Sequence, residues 1–412
     1  MPKKVVVSGL GIISPIGTGK ENFWNAAVKG ANGVLPISSF DTSAYRSKTG
    51  GEVRDFDPKA YLSDSEIETM GRAGQLAVSA ARMAVEDAKL NLGDLNPHRI
   101  GVSLGTTMGE PQVIQKLLEG FSKENRVIEN MPKGKSIKYP ANTIPANVSR
   151  FLGVKGPTTL IPTACAAGNW AIGYAFDLIR MGRIDCAIAG GSDPFATIAF
   201  CGFNRLLATT MDVCRPFDKN RVGMAVAEGS GILIMETLES ALARGATVYG
   251  EVLGYGLGCD AHDMTAPHPE GAGGILAMER AIANSKISKK DVDYICAHGT
   301  GTPANDKAET IVAKKVFGDD AYKIPMSSLK SMLGHTMGAA SAIEAAASLL
   351  MLREGKILPT INYQTPDPDC DLDYVPNTAR DADINIVISN AYAFGGNTSA
   401  IVLKKYREGE GE

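Results

Sequence analysis

Thr158-Thr159-Leu160-Ile161-Pro162-Thr163-Ala164-Cys165-Ala166-Ala167-Gly168 runs from a strand-like segment straight into a helical pattern at 168–182. A strand that turns directly into a helix points to an α/β protein. The helix carries only Asp177 and Arg180 as charges. A helix apolar on most sides is a buried one, and burial inside a many-layered protein is the simplest arrangement. The turn places Cys165 at a helix N-terminus, where the dipole and free N–H groups favour a thiolate. Ala166, Ala167 and Gly168 leave room for a substrate to approach. A free cysteine is more often just a small core residue, and this stretch alone does not establish the functional reading.

Outward from that turn, β-branched runs alternate with helical patterns. Strands are expected at 3–9, 100–105, 158–162, 184–190, 230–236, 247–256, 292–297 and 385–392, and helices at 72–89, 168–182, 271–284, 304–316 and 337–353. This alternation suggests α/β layering. Two strands run into similar glycine-rich sequence, Val5-Val6-Val7-Ser8-Gly9-Leu10-Gly11 and Val252-Leu253-Gly254-Tyr255-Gly256-Leu257-Gly258. They hint at a duplication, with halves 1–245 and 246–412. Glycine after a strand is common, so two unrelated strand ends explain the pattern equally well.

The bulk numbers exclude several classes. The chain has 412 residues, which suits two or three domains or one duplicated unit. Net charge is −3, from 42 basic and 45 acidic residues. No polybasic bias argues for nucleic acid or a membrane surface. The seven cysteines are odd in number, and no pair stands as CxxC. A disulfide framework or a zinc site is not expected, and a reducing cytoplasm fits better. Lys4–Gly9 reads as a first strand, not a signal peptide. No stretch reaches the roughly 18 uninterrupted apolar residues of a membrane span.

Three further segments bear chemistry. Ala297-His298-Gly299-Thr300-Gly301-Thr302-Pro303 follows a strand, Lys330-Ser331-Met332-Leu333-Gly334-His335 opens a small-residue helix, and Asn390-Ala391-Tyr392-Ala393-Phe394-Gly395-Gly396-Asn397 is a strand entering a glycine turn. Histidines at element ends stand where active sites concentrate. His98 lies in a surface loop, and His262 and His268 lack metal-ligand spacing, so no metal site is expected. Gly395 and Gly396 allow backbone N–H groups to converge on an anion. The Rossmann, P-loop and nucleophile-elbow patterns all fail.

Together these segments resemble the β-ketoacyl-[acyl carrier protein] synthases, most closely the synthase II branch. The similarity runs from the first strand to about residue 405. It is carried by Thr163-Ala164-Cys165, His298-Gly-Thr-x-Thr-Pro303, Lys330-Ser-x-x-Gly-His335 and Phe394-Gly-Gly396, in that order. The resemblance implies a thiolase fold, with duplicated α/β halves in a five-layered αβαβα arrangement. It implies decarboxylative Claisen condensation of an acyl thioester held on Cys165 with malonyl on an acyl carrier protein. His298 and His335 would stabilise the enolate formed as CO₂ leaves. The backbone N–H groups of Cys165 and Phe394 would form the oxyanion hole, with Phe394, Gly395 and Gly396 as the gate. Lys330 matches the family lysine and Glu309 its partner, with Asp306 and Glu344 as further supporting acids. Thr300, Thr302 and Thr265 match positions that hold the pantetheine arm, and Met108, Cys201 and Phe203 positions around the acyl pocket. No cofactor is implied beyond the phosphopantetheine that the carrier supplies. The implied partners are that carrier and a second subunit, identical or related, but no nucleic acid or membrane.

The sequence departs from the family pattern in places. Ala166-Ala167 replaces small serines, Ala393 replaces a glycine, and Cys201 stands where an aromatic residue is common. The helix that often presents basic residues reads Asp64-Ser65-Glu66-Ile67-Glu68. An acidic helix would repel an acidic carrier, which leaves Lys133, Lys135, Lys138 and Arg205 as candidate contacts. Three pathways stay open: fatty-acid elongation, a type II polyketide or polyene ketosynthase, or a non-catalytic chain-length partner subunit. The departures tilt towards the second. The third normally lacks the cysteine.

Overall fold

The computed structural model describes residues 3–124 and 136–409. Ten strands form the main sheet: β1 (Val5–Ser14), β2 (Ile100–Gly105), β3 (Thr158–Ile161), β4 (Cys186–Asp193), β5 (Gly229–Thr237), β6 (Gly250–Cys259), β7 (Tyr294–Cys296), β8 (Met326–Ser327), β9 (Ile386–Tyr392) and β10 (Asn397–Lys404). A short strand, Gly17–Thr18, pairs back onto β1. The spatial order is β8-β7-β9-β10-β6-β1-β5-β4-β2-β3. β1 and β6 meet antiparallel at the centre, Val5 opposite Val252. Outward from this seam both sides repeat the same order and the same strand senses: two antiparallel pairings, then two parallel ones.

The helices that position the site are α1 (Arg72–Asp87), α2 (Ala167–Arg180), α3 (Thr197–Arg205), α4 (Ala272–Ser285), α5 (Pro303–Phe317), α6 (Lys330–Leu333) and α7 (Ala340–Glu354). α1 covers β1 and β5 on one side, α4 covers β6 and β10 with α5 beside it, and α2 and α7 lie between the strand layers. Three large apolar clusters fill the spaces between these layers. Every residue of α7 from Ala340 to Leu352 is buried, as an all-round apolar helix requires. Among the described residues, no helix is long and apolar enough to cross a membrane.

The glycine-rich runs have one physical cause. A Cβ on Gly11 would lie 1.8 Å from Ala80 O, and one on Gly256 would lie 2.0 Å from Ala277 O. Each seam strand is therefore bare on one face so that a helix, α1 or α4, can lie directly on its backbone. The expected strands and helices are present within a few residues. The strands β8 and β10, the short helix α3 and the helices Lys20–Val28, Pro111–Glu124 and Thr143–Leu152 were not anticipated. β10 is buried between β9 and β6, so it lacks the alternation that betrays a half-exposed strand.

Candidate active site

Cys165 follows β3 in a tight 3₁₀ turn, Ala164–Ala166, that leads into α2. Ala164 holds φ at +50°, a sparsely populated conformation outside glycine that often marks a functional turn. Cys165 itself is 6% exposed. The small residues after it do not make room for substrate, as the sequence suggested. Ala166 and Ala167 are fully buried, and a Cβ on Gly168 would lie 2.6 Å from the Ala342 nitrogen. Their size lets α2 pack onto α7. Ser341 Oγ accepts from Asn169 N at 3.0 Å and donates to Cys165 O at 3.4 Å, which ties the turn to α7. Burial pushes the Cys165 thiol up to about 12, outweighing the nearby Lys330 charge that pulls it down. The resting group is a thiol, not the thiolate expected from the helix N-terminus.

His298 follows β7. Its backbone N–H donates to Glu309 Oε1 at 2.8 Å, and Gly299 N–H donates to Glu309 Oε2 at 2.8 Å. Glu309, on α5, thus fixes the turn on which His298 stands, and burial lifts its carboxyl to about 7. His335 lies between α6 and α7 and donates its backbone N–H to Ala225 O at 2.7 Å. Met337 N–H donates to His335 Nδ1 at 3.2 Å. A neutral ring that accepts at Nδ1 carries its proton on Nε2. The two rings stand 5.4 Å apart and nearly perpendicular. Burial, then the Lys330 charge, hold both imidazoles well below the usual histidine range, and His335 adds to the effect on His298. Both are therefore neutral at neutral pH.

The sequence paired Lys330 with Glu309, but its ion pair is with Glu344 on α7, both side chains being nearly inaccessible. The reason is topological: Glu309 is taken up by two backbone donors, and Glu344 faces the start of α6. Burial lifts Glu344 to about 7. Asp306 accepts from Phe217 N at 2.8 Å and Gly301 N at 3.2 Å and pairs with Arg221, so it braces the far end of the His298 turn.

Cys165, His298 and His335 open onto one cavity of about 290 Å³, together with Thr300, Thr302, Thr265, Phe203 and Phe394. The Thr300 and Thr302 hydroxyls lie 2.8 Å apart. Phe394 packs its ring against Phe203, 5.5 Å between centroids. Gly395 N–H donates to Met264 O and Gly396 N–H to Ala393 O. Those two donors are engaged in holding the turn and do not converge on an anion. Met108 packs with Phe195 and Phe200 in a neighbouring cluster and is not on the cavity wall. Cys201 is exposed on α3, outside the cavity.

Lys133 and Lys135 lie outside the described residues. Lys138 donates to Glu68 O. Arg205 is exposed at the end of α3. In the acidic helix, Glu66 caps Ser63 and pairs with Arg82, which holds its carboxyl down at about 2. Asp64 pairs with Lys59 at 2.9 Å.

One central group escaped the sequence reading. Asp193, at the end of β4, accepts from Thr106 Oγ1 (2.7 Å), Thr107 N (2.7 Å), Met108 N (3.2 Å) and Gly338 N (2.6 Å). It knots the loop after β2 to the turn that leads from His335 into α7. Its only sequence signal is an acid placed directly after an apolar strand.

Comparison with known proteins decides the family. Residues 2–241 match the N-terminal domain model of the β-ketoacyl synthases, and residues 249–364 match the C-terminal one. The chain belongs to the β-ketoacyl synthase family. It is 42% identical to a 3-oxoacyl-[acyl-carrier-protein] synthase 2 of a Synechocystis strain, covering 98% of this chain and 99% of that protein. A Staphylococcus aureus protein of the same name is 41% identical, with the same coverage. Among solved structures, the ishigamide ketosynthase/chain length factor superposes with a TM-score of 0.95 at 44% identity, over 99% of this chain and all of that one. A type II polyketide ketosynthase in complex with its acyl carrier protein, bound to a hexaketide, gives 0.92 at 34%, again over 99% and 100%. The protein is an α/β enzyme of the thiolase fold.

Proposed function

We propose that this cavity condenses an acyl group on Cys165 with malonyl on an acyl carrier protein, releasing CO₂ and giving a β-ketoacyl carrier. The observation that carries the reading is the pair of neutral, nearly perpendicular imidazoles sharing a cavity with the buried thiol. In the first half-reaction the Cys165 thiol attacks the acyl thioester, and its proton goes to the departing carrier thiolate. In the second, malonyl loses CO₂ and its thioester oxygen becomes an enolate. His335 donates to that oxygen through Nε2, and His298 donates beside it. A placed donor of this kind is worth about 3–4 kcal/mol in the transition state. The enolate carbon then attacks the acyl carbonyl. The N–H groups of Cys165 and Phe394 receive the oxyanion, the C–S bond breaks, and the Cys165 thiolate takes up a proton. Burial, with the Lys330 charge adding to it, keeps both imidazoles neutral, so each retains a lone pair as well as a donor. Thr300, Thr302 and Thr265 line the route of the pantetheine arm, which is the carrier's own prosthetic group.

The halves 1–245 and 246–412 are read as duplicated units that meet at the β1–β6 seam. The departures at 64–68, 201 and 393 favour a type II polyketide setting, with a related subunit as the partner, over fatty-acid elongation as a homodimer, while the likeness to the ishigamide ketosynthase/chain length factor (44%) and to the synthase 2 proteins (41–42%) weighs about equally on both sides. A reducing cytoplasm suits the seven free cysteines. Purified protein given acyl- and malonyl-carrier tests the reaction: CO₂ release and β-ketoacyl product are expected, and Cys165→Ala should abolish the product. Condensation by that variant at the parental rate would overturn the assignment.

A further inference from the structure

We infer that Glu110 is a positioning residue for acyl transfer to Cys165: it caps the start of α1 from a distance and so pins the loop on which the Cys165 and His335 turns both rest. The inference rests on the proposed condensation and adds a group to it. Glu110 is 1% exposed. It stands outside the lining of the Cys165 cavity and touches no reacting atom.

Glu110 closes the loop Thr106–Glu110 that follows β2. One oxygen of its carboxylate accepts from Ala73 N at 3.1 Å, the other from Gly74 N at 2.6 Å. Both N–H groups belong to the first turn of α1, where no partner exists within the helix. Gly71, at the N-cap, offers no side chain to receive them. The fit excludes a local cap: a Cβ on Gly71 would lie 2.2 Å from Glu110 Oε2. Ser192 Oγ donates to Ala73 O at 2.9 Å, so Ala73 is gripped at both its backbone groups. Burial lifts the Glu110 carboxyl to about 7 against the pull of the two N–H groups, and the Asp193 charge adds to the rise. A serine or aspartate at the N-cap would satisfy the helix locally without burying a second acid. What a local cap would not do is tie the helix to the loop.

The other end of that loop carries the site. Asp193 holds Thr106, Thr107 and Met108 there, together with Gly338 N. A Cβ on Gly338 would lie 2.6 Å from Thr106 C and Thr107 N, and one on Gly105 would lie 2.3 Å from Ala167 C. Bare backbone thus lets the turn after His335 and the first residue of α2 lie directly on residues 105–107. A loop held at Asp193 alone would pivot on one carboxylate. Glu110 fixes its second end.

The test measures acyl transfer from an acyl-carrier to Cys165 by protein mass at pH 8, per folded molecule. Glu110→Gln leaves one helix N–H facing an amide NH₂. Its maximal rate should fall about tenfold, a scale on which small misplacement of a reacting group acts. The half-saturating carrier concentration should stay within about twofold, because Glu110 touches no substrate. Gly71→Ala drives the carboxylate off its cap with Glu110 still in place and should reproduce the loss; it decides the matter where Glu110→Gln does not fold. Added to Glu110→Ala, the same change should alter the rate less than about twofold, because the collision is gone. A parental maximal rate in either folded single variant overturns the inference, and so does a loss confined to the half-saturating concentration or to the folded fraction. A parent that takes up no acyl group overturns the proposed condensation, and this role with it.

Discussion

Asp193→Asn isolates the group that sequence reading missed. The carboxylate receives four donors, two on each oxygen: Thr106 Oγ1 and Met108 N on one, Thr107 N and Gly338 N on the other. An asparagine keeps one oxygen. Its best placement leaves that oxygen with Thr107 N and Gly338 N. The amide NH₂ then faces Thr106, whose hydroxyl can turn to accept, and Met108 N–H, which cannot. One buried donor is left opposed, at about 1–3 kcal/mol, and the two surviving bonds lose their charge assistance, worth a further 1 kcal/mol or so. Burial lifts the parental carboxyl from 3.8 to about 6, so keeping it ionised at pH 8 costs the parent about 3 kcal/mol; this offsets the lost bonds, and the variant should lie within about 1 kcal/mol of the parent by urea unfolding at pH 8. Because Gly338 N–H belongs to the turn between His335 and α7, transfer of an acyl group to Cys165 should also slow. Acyl transfer to Cys165 at the parental rate in the folded variant would refute the account of four converging donors.

Glu309→Gln should flatten the dependence of stability on pH. The parental carboxyl is lifted to about 7 in the folded chain against 4.5 unfolded. Its burial is therefore unopposed below pH 4.5, and stability falls as pH rises towards 7, by about 3 kcal/mol; a variant with the same slope would exclude Glu309 as the source. His335→Ala should lower the decarboxylation rate of malonyl-carrier about 10²–10³-fold while Cys165 still takes up an acyl group, as measured by protein mass; loss of acylation alone would reverse the assigned role. Gly256→Ala puts a Cβ 2.0 Å from Ala277 O and 2.4 Å from Ala281 N, both rigid backbone, and should cost about 3 kcal/mol or more in thermal or urea unfolding. Gly202→Ala, on α3 with nothing within 4 Å of the new Cβ, should be neutral or stabilising by about 0.5–1 kcal/mol, and equal losses at the two sites would dismiss the close-packing argument.

The four short motifs were legible in the sequence because each is a junction of elements. A strand followed by Cys165, a strand followed by His298 and a helix start beside His335 are local patterns, and local patterns survive in one dimension. The glycine runs were visible too, though their purpose was not. Gly11 and Gly256 meet helix carbonyls that lie 69 and 21 residues further along the chain.

What sequence alone determined is therefore the class of fold, the identity of the thiol and the two imidazoles, and their family. What it could not determine is anything fixed by long-range packing or by burial. Lys330 pairs with Glu344 and not Glu309 because α6 and α7 meet in the core. Cys165 rests as a thiol because desolvation of a buried sulfur outweighs one nearby cation. Asp193 matters because two segments far apart in the chain bring their N–H groups to one carboxylate. Residue types announce which chemistry is available, but dielectric surroundings and partners set charge state and geometry, and those exist only once the chain has folded.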